Sequence, residues 1–254
     1  MRGLFIAGTD TGVGKTLVAV SLVRALAARG LAVAAMKPVA AGAARTPQGP
    51  RNEDALALAA AATVAAPYER VNPYCLRAPV SPHIAAAQEG VSIDVALIVQ
   101  RFGELAHHAD CVIVEGAGGW LTPIDERQTL ADVARALSLP VVLVVGLRLG
   151  CLNHALLSAR AIEADGLRLA GWIGNAIDPQ FEHAAENVAT LERRLGGAPL
   201  ALVPHLNRAA ERTSAVARVP DRPQLEAGMV LPHRVSEALF ALCSRRAPRT
   251  ARGA

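Results

Sequence analysis

The stretch GTDTGVGKT at residues 8–16 constrains this chain more than anything else in it. It stands directly after an apolar run at 4–7 and opens a helix-like segment at 16–28. In that context, glycines let successive backbone N–H groups turn inward on an anion, and the first helical turn adds its partial positive charge. Lys15 is placed to reach the outer phosphates of a nucleotide, and the Thr16 hydroxyl to ligate Mg2+. The strict form of the motif puts its first glycine at position 9, which is Thr9 here; Gly8 precedes it.

The remaining pattern agrees with a phosphate-binding loop set in an α/β frame. Short aliphatic runs at 4–7, 31–36, 111–114, 141–145, 169–173 and 200–203 read as strands. Between them, 16–28, 92–107, 129–137, 152–165 and 180–195 read as helices. Runs such as 111–114 and 141–145 are continuously apolar, as strands buried on both faces are. Strand–helix alternation predicts a mostly parallel sheet with helices on both faces, an α/β architecture of the P-loop NTPase type. Residues 41–50 and 67–82, rich in Gly, Pro and Ala or in Pro alone, read as loops. A last helix is expected at 235–243. No internal repeat or long linker is evident, so residues 1–245 form one domain and 246–254 a basic tail.

Composition narrows the function classes. Hydrophobic residues make up 52% of the 254 and charged ones 19%, which excludes a disordered chain. Aromatics are 3%, so small aliphatic side chains must build the core. The net charge of +4 suggests nucleic acid, but Arg245, Arg246, Arg249 and Arg252 cluster at the C-terminus and the rest is near neutral. No nucleic-acid partner is expected. The most aliphatic stretch, 139–147, is half a membrane span. With no signal-peptide pattern, the expected setting is the cytoplasm, without a membrane partner. Cysteines at 75, 111, 151 and 243 show neither CxxC nor Cys/His spacing, so no zinc site is indicated.

Lys15 and Lys37 are the only lysines among 26 basic Lys and Arg residues. Where arginine is so favoured, two retained lysines point to sites needing a compact ammonium. Lys37 follows the second strand and so belongs to the sheet edge that carries the phosphate loop. Glu115 ends the apolar strand at 111–114 and is followed by Gly116, Ala117, Gly118 and Gly119. A carboxylate at that strand end, beside a phosphate loop, is where a Mg2+ ligand belongs. Asp54 fits either a second metal ligand or an acid at a helix start.

Taken in order, 8–16 (GTDTGVGKT), 36–40 (MKPVA), 51–55 (RNEDA), 71–74 (VNPY), 81–83 (SPH), 114–119 (VEGAGG), 149–154 (LGCLNH) and 170–175 (AGWIGN) resemble the dethiobiotin synthetase family. The resemblance spans roughly residues 2–211. Partition and septum-site switch ATPases carry a signature lysine where this loop has Asp10. Cobyrinate-type synthases usually add a glutaminase domain, for which this chain is too short.

The resemblance implies an ATP- and Mg2+-dependent reaction of 7,8-diaminopelargonate with CO2, giving dethiobiotin, ADP and phosphate. It implies Lys37 and Lys15 as catalytic residues. Thr16, Asp54 and Glu115 would hold the metal. Gly12, Val13, Gly14, Lys15, Thr16, Leu17, Asp54, Glu115, Gly116, Ala117 and Gly118 would bind the nucleotide. Asn175, Ala176, Pro204, His205, Leu206 and Glu211 would lie at the base. Thr11, Lys37, Ala41 and Gly118 would face the substrate. Gly150, Cys151, Leu152 and Asn153 would bind its carboxylate from the neighbouring subunit of a homodimer. A helix cap is the plainer reading of that last segment, and His83 reads as structural. Two positions depart from the family: Ala41 stands where many members have Ser, and Gly12 where Glu is frequent.

Overall fold

The computed structural model describes residues 3–206. The helix expected at 235–243, Glu211 and the basic tail therefore lie outside the described residues.

In chain order the elements are β1 (Gly3–Gly8), α1 (Lys15–Ala27), β2 (Val33–Met36), β3 (Val39–Ala40), β4 (Ala44–Thr46), β5 (Gly49–Arg51), α2 (Glu53–Ala61), α3 (Tyr68–Val71), β6 (Tyr74–Cys75), α4 (Pro82–Glu89), α5 (Val95–His108), β7 (Cys111–Glu115), α6 (Leu130–Leu137), β8 (Val141–Leu147), α7 (Cys151–Ala164), β9 (Leu169–Ala176), α8 (Ala184–Arg194) and β10 (Ala201–Val203). Six strands form one sheet in the order β10-β9-β8-β1-β7-β2. Every pairing in it is parallel.

The sheet divides the core into two layers, because side chains alternate across a strand. Phe5 and Ala7 of β1 face one cluster with Ile98 and Phe102 of α5, Val133 and Leu137 of α6, and Ile162 of α7. Leu4 and Ile6 face the other, with Val18, Leu22 and Leu26 of α1 and Leu58 of α2. The second layer is aliphatic apart from Cys111, as the composition predicts, whereas the first also takes in Phe5, Tyr74, Phe102, Trp120 and Trp172. Truncating a fully buried side chain such as Leu22 to Ala costs about 2–5 kcal/mol.

Helix boundaries follow their caps. The segment expected from 92 starts at 95 because Asp94 is the N-cap, its carboxylate accepting the Ala96 N–H at 2.8 Å. Thr129 and Asp132 form a reciprocal capping box at the start of α6.

Two expected loops contain structure. Most of 41–50 belongs to an antiparallel hairpin over 44–51, with Ala44 opposite Arg51 and Thr46 opposite Gly49. The Thr46 hydroxyl donates to the Gly49 carbonyl at 2.7 Å and closes the turn. Within 67–82, α3 and β6 appear, and β6 pairs in parallel with β3. Their pairing partners are distant in sequence, so a local reading dominated by proline misses them. Among the described residues, no helix is long and apolar enough to cross a membrane.

Candidate active site

The phosphate loop joins β1 to α1. Thr9 N–H donates to the Val144 carbonyl at 3.0 Å, continuing the sheet's pairing past the end of β1. A Cβ at Gly8 would meet Lys15 Cδ and Val13 Cγ2 at 2.9 Å, so the glycine displaced from position 9 serves close packing at position 8. Gly14 caps α1 in the left-handed region at φ 94°. Behind it, Asn175 at the end of β9 donates from its side-chain amide to the Val13 carbonyl at 2.8 Å. A Cβ on Gly14 would lie 2.2 Å from that amide nitrogen. Asn175 is thus the back wall of the loop.

Four charged groups converge in front of it. Lys37 stands one residue past β2, and Glu115 closes β7. Strand register places Met36 opposite Val114, and Ile6 opposite Glu115. The Lys37 ammonium donates to Glu115 Oε1 at 2.6 Å, to Asp54 Oδ2 at 3.1 Å and to the Gly116 carbonyl at 3.1 Å. Three donors meet three acceptors. Thr16 Oγ1 donates to the same Glu115 oxygen at 2.8 Å. Lys15 donates to the Asp10 carbonyl at 2.8 Å.

Burial tunes these groups. It works against the Lys37 charge, but Glu115 and Asp54 outweigh it and hold Lys37 above the usual lysine range. Burial, and then the neighbouring Lys37 charge, brings Lys15 down to about 8. Burial also opposes the Asp54 charge, yet Lys37 and the Thr16 hydroxyl keep that carboxyl below its usual range. Burial pushes the Glu115 carboxyl up, against the pull of Lys37.

The groups line a cavity of about 720 Å³ that also takes in Thr11, Gly12, Gly14, Leu17, Ala41, Ala117 and Gly118. Val13 is buried beneath the loop, and Gly116 supplies the carbonyl that holds Lys37. The glycine run after Glu115 is anchored by Trp120, whose indole N–H donates to Asp165 at 2.7 Å and whose ring meets Phe5 edge-on. Ala176 lies apart from this cavity, its carbonyl 3.1 Å from His205 Nδ1, with Pro204 and Leu206 on either side of that histidine. His83 does not line the cavity.

Nor do Gly150, Cys151, Leu152 and Asn153, which open α7. Gly150 caps that helix without a side-chain cap bond, and the Cys151 side chain is buried. This segment is tied to the phosphate loop through the preceding Arg148, whose guanidinium contacts Asp10 Oδ2 at 2.7 Å.

Asp54 stands at a helix start and at the cavity wall at once. It sits in the first turn of α2, and it lines the cavity. Its N-cap is Asn52, whose side-chain oxygen accepts the Asp54 and Ala55 N–H groups at 3.1 and 3.3 Å. Asn52, Asn72 and Tyr68 escape sequence reasoning, although Asn52 stands in the RNEDA run as a recognisable cap. Asn72 is buried and donates to the Lys37 carbonyl at 2.7 Å.

The residues present suit a hard divalent cation. Two carboxylates and a hydroxyl supply oxygen donors of the type Mg2+ takes, leaving positions for phosphate and water. The other carboxylate oxygen of Glu115, Oε2, is buried without a hydrogen-bond partner. Among the described residues, no group of three or more His, Cys, Asp or Glu side chains forms a metal cluster.

Known proteins resemble this chain over most of its length. A family profile described as an AAA domain matches residues 2–228. The ATP-dependent dethiobiotin synthetase BioD of Vibrio vulnificus (strain YJ016) is 50% identical over 212 residues, covering 84% of this chain and 93% of its own. That of Pseudomonas aeruginosa (strain UCBPP-PA14) is 49% identical over 230 residues, covering 90% of this chain and 100% of its own.

This chain belongs to the ATP-dependent dethiobiotin synthetase family.

A dethiobiotin synthetase from Xanthomonas oryzae pv. oryzae (strain PXO99A) is likewise 53% identical over 191 residues, covering 75% of this chain and 85% of its own. Among solved structures, the MinC:MinD cell division complex of Aquifex aeolicus shares the fold with a TM-score of 0.55 at 15% identity, covering 96% of this chain and 95% of that one. A ParA family ATPase from Chlorobium tepidum TLS does so with a TM-score of 0.52 at 14% identity, covering 96% and 99%. The dethiobiotin synthetase chain thus has the P-loop NTPase type of α/β fold that its sequence predicts.

Proposed function

We propose that this dethiobiotin synthetase joins 7,8-diaminopelargonate and CO2 at the expense of ATP, and that the Lys37–Glu115–Asp54 constellation beside the phosphate loop carries the chemistry. One substrate amine adds to CO2 and loses a proton, giving a carbamate. A carbamate oxygen attacks the γ-phosphorus, the bond to ADP breaks, and a carbamic–phosphoric anhydride forms. The second amine attacks the carbamoyl carbon, phosphate leaves, a proton is lost and the ureido ring closes.

The protein's part is placement and charge neutralisation. Loop N–H groups and Lys15 receive the outer phosphates. Lys37, a compact point charge at the cavity wall, faces the carbamate and the migrating phosphoryl group together. Thr16, Asp54 and Glu115 would hold Mg2+, which supplies charge neutralisation on phosphate oxygens when bound. Thr11 and Gly118 support the substrate; at position 41 a backbone N–H or a water stands in for the hydroxyl that Ala41 lacks. Asn175, Ala176, Pro204, His205, Leu206 and Glu211 belong to the base side. The Gly150 to Asn153 segment presents N–H groups suited to a carboxylate. In this reading it serves the cavity of a second copy, making the working form a homodimer in the cytoplasm.

The observation that carries the reading is the convergence of two lysines, two carboxylates and a hydroxyl at one end of the sheet. The test is ADP release. Turnover that requires both diaminopelargonate and bicarbonate supports it; turnover indifferent to them but stimulated by DNA or lipid overturns it in favour of a nucleotide switch.

A further inference from the structure

Tyr68 lies in α3, a short helix inside a segment that sequence reasoning leaves as a loop. Its hydroxyl accepts the Asn52 backbone N–H at 2.8 Å and donates to Asn72 Oδ1 at 3.0 Å. Each partner leads to a different charged residue of the site. Asn72 passes its amide to the Lys37 carbonyl at 2.7 Å and to the Tyr74 carbonyl at 3.1 Å. Asn52 caps α2 and so fixes the first turn that bears Asp54. Asp54 in turn meets the Lys37 ammonium at 3.1 Å. The contacts close a ring that runs from Lys37 through Asp54, Asn52, Tyr68 and Asn72 back to the Lys37 backbone.

A closed ring constrains what an open chain would not. β2 ends at Met36, and α2 begins 17 residues after that strand's end, beyond an exposed hairpin. Val33 and Thr63 tie the two elements at the end away from the site, and no strand pairing joins them nearer to it. Within the ring, the phenol joins the two halves on the side opposite the Lys37–Asp54 contact. The Arg51 guanidinium lies over the Tyr68 ring at 4.1 Å to its centroid and holds it flat against this corner. We infer that Tyr68 is a positioning residue, whose hydroxyl sets the spacing between the Lys37 ammonium and the Asp54 carboxylate. The inference rests on the roles proposed for those two residues.

The Cys75 thiol supplies the control. It lies 3.4 Å from the same hydroxyl but forms no part of the ring. Tyr68→Phe keeps the aromatic ring under Arg51 and removes the oxygen alone. In the full-length protein, calorimetry with a non-hydrolysable ATP analogue gives the Mg2+ concentration for half-maximal binding. That concentration is expected to rise by about tenfold in Tyr68→Phe, the usual scale for loss of a supporting hydrogen bond. The turnover number is expected to fall by about the same factor. Amide exchange at Asn52, read by NMR, should speed up. Cys75→Ala should match the parent on all three measures.

Parent-like Mg2+ dependence in Tyr68→Phe would overturn the inference. So would equal weakening by Cys75→Ala, because the ring would then not be the cause. Should the parent bind the analogue yet release no ADP on diaminopelargonate and bicarbonate, the proposed reaction fails. A weakened Tyr68→Phe in the calorimetry would still uphold the positioning role.

Discussion

The Lys37 ammonium and the Glu115 carboxylate stand 2.6 Å apart at the ends of two neighbouring parallel strands, both sealed from solvent. Such a pair is stable only because its other hydrogen-bonding capacity is filled, and here Asp54, Thr16 and the Gly116 carbonyl fill most of it.

Lys37→Arg is expected to stay folded and lose at least about 100-fold in turnover. A planar guanidinium cannot point three donors at acceptors arranged around a single nitrogen. Thermal unfolding together with ADP release checks this. Near-parental turnover would reject a compact-charge role.

Lys37→Met leaves a buried carboxylate without its cation and should cost about 3–5 kcal/mol of stability. Adding Glu115→Gln removes the stranded charge and should restore most of the loss. Denaturant unfolding of the single and double variants measures both steps. If the double variant is as unstable as Lys37→Met, the cost comes from packing around the alkyl stem instead.

Glu115→Gln by itself addresses the metal. With one fewer anionic oxygen, the Mg2+ concentration for half-maximal turnover is expected to rise by roughly tenfold or more. A superimposable magnesium titration would take Glu115 out of the ligand set.

The contact between Asn175 and the phosphate loop yields a fourth expectation. Asn175→Ala leaves the Val13 carbonyl without its donor and should cost about 1–3 kcal/mol, with weaker nucleotide binding. Gly14→Ala should be worse, because its Cβ would overlap the Asn175 amide and its backbone sits in the left-handed region. Equilibrium nucleotide binding ranks the two; equal affinities would show that the back wall does not shape the loop.

Much of this site is legible in the sequence because its parts are strand ends. Lys37 and Glu115 each follow an aliphatic run that reads plainly as a strand, Lys15 opens the helix after the loop that leaves another, and a parallel sheet carries such positions to one edge. Asp54 is only half legible, since the same residue sits in the first turn of a helix and lines the cavity. Asn72 stands in the VNPY run, but neither its role nor that of Tyr68 is legible there. Their partners, Asn52 and the Lys37 carbonyl, are remote along the chain, and prolines around them mask the short α3 and β6. The hairpin at 44–51 was hidden for a related reason: its strands have no apolar alternation, and only backbone pairing and the Thr46 bond define it.

Because β2, β7 and β1 lie side by side in the sheet, the backbone positions from which their groups extend inherit their separations from the interstrand repeat of about 4.8 Å. That repeat is a property of backbone amides and does not depend on which side chains decorate the surface. Loops that carry none of the site's groups or their supports are therefore free to vary in length and composition while the strand ends keep their spacing. Drift in this lineage should accumulate at the rim and leave the floor unchanged.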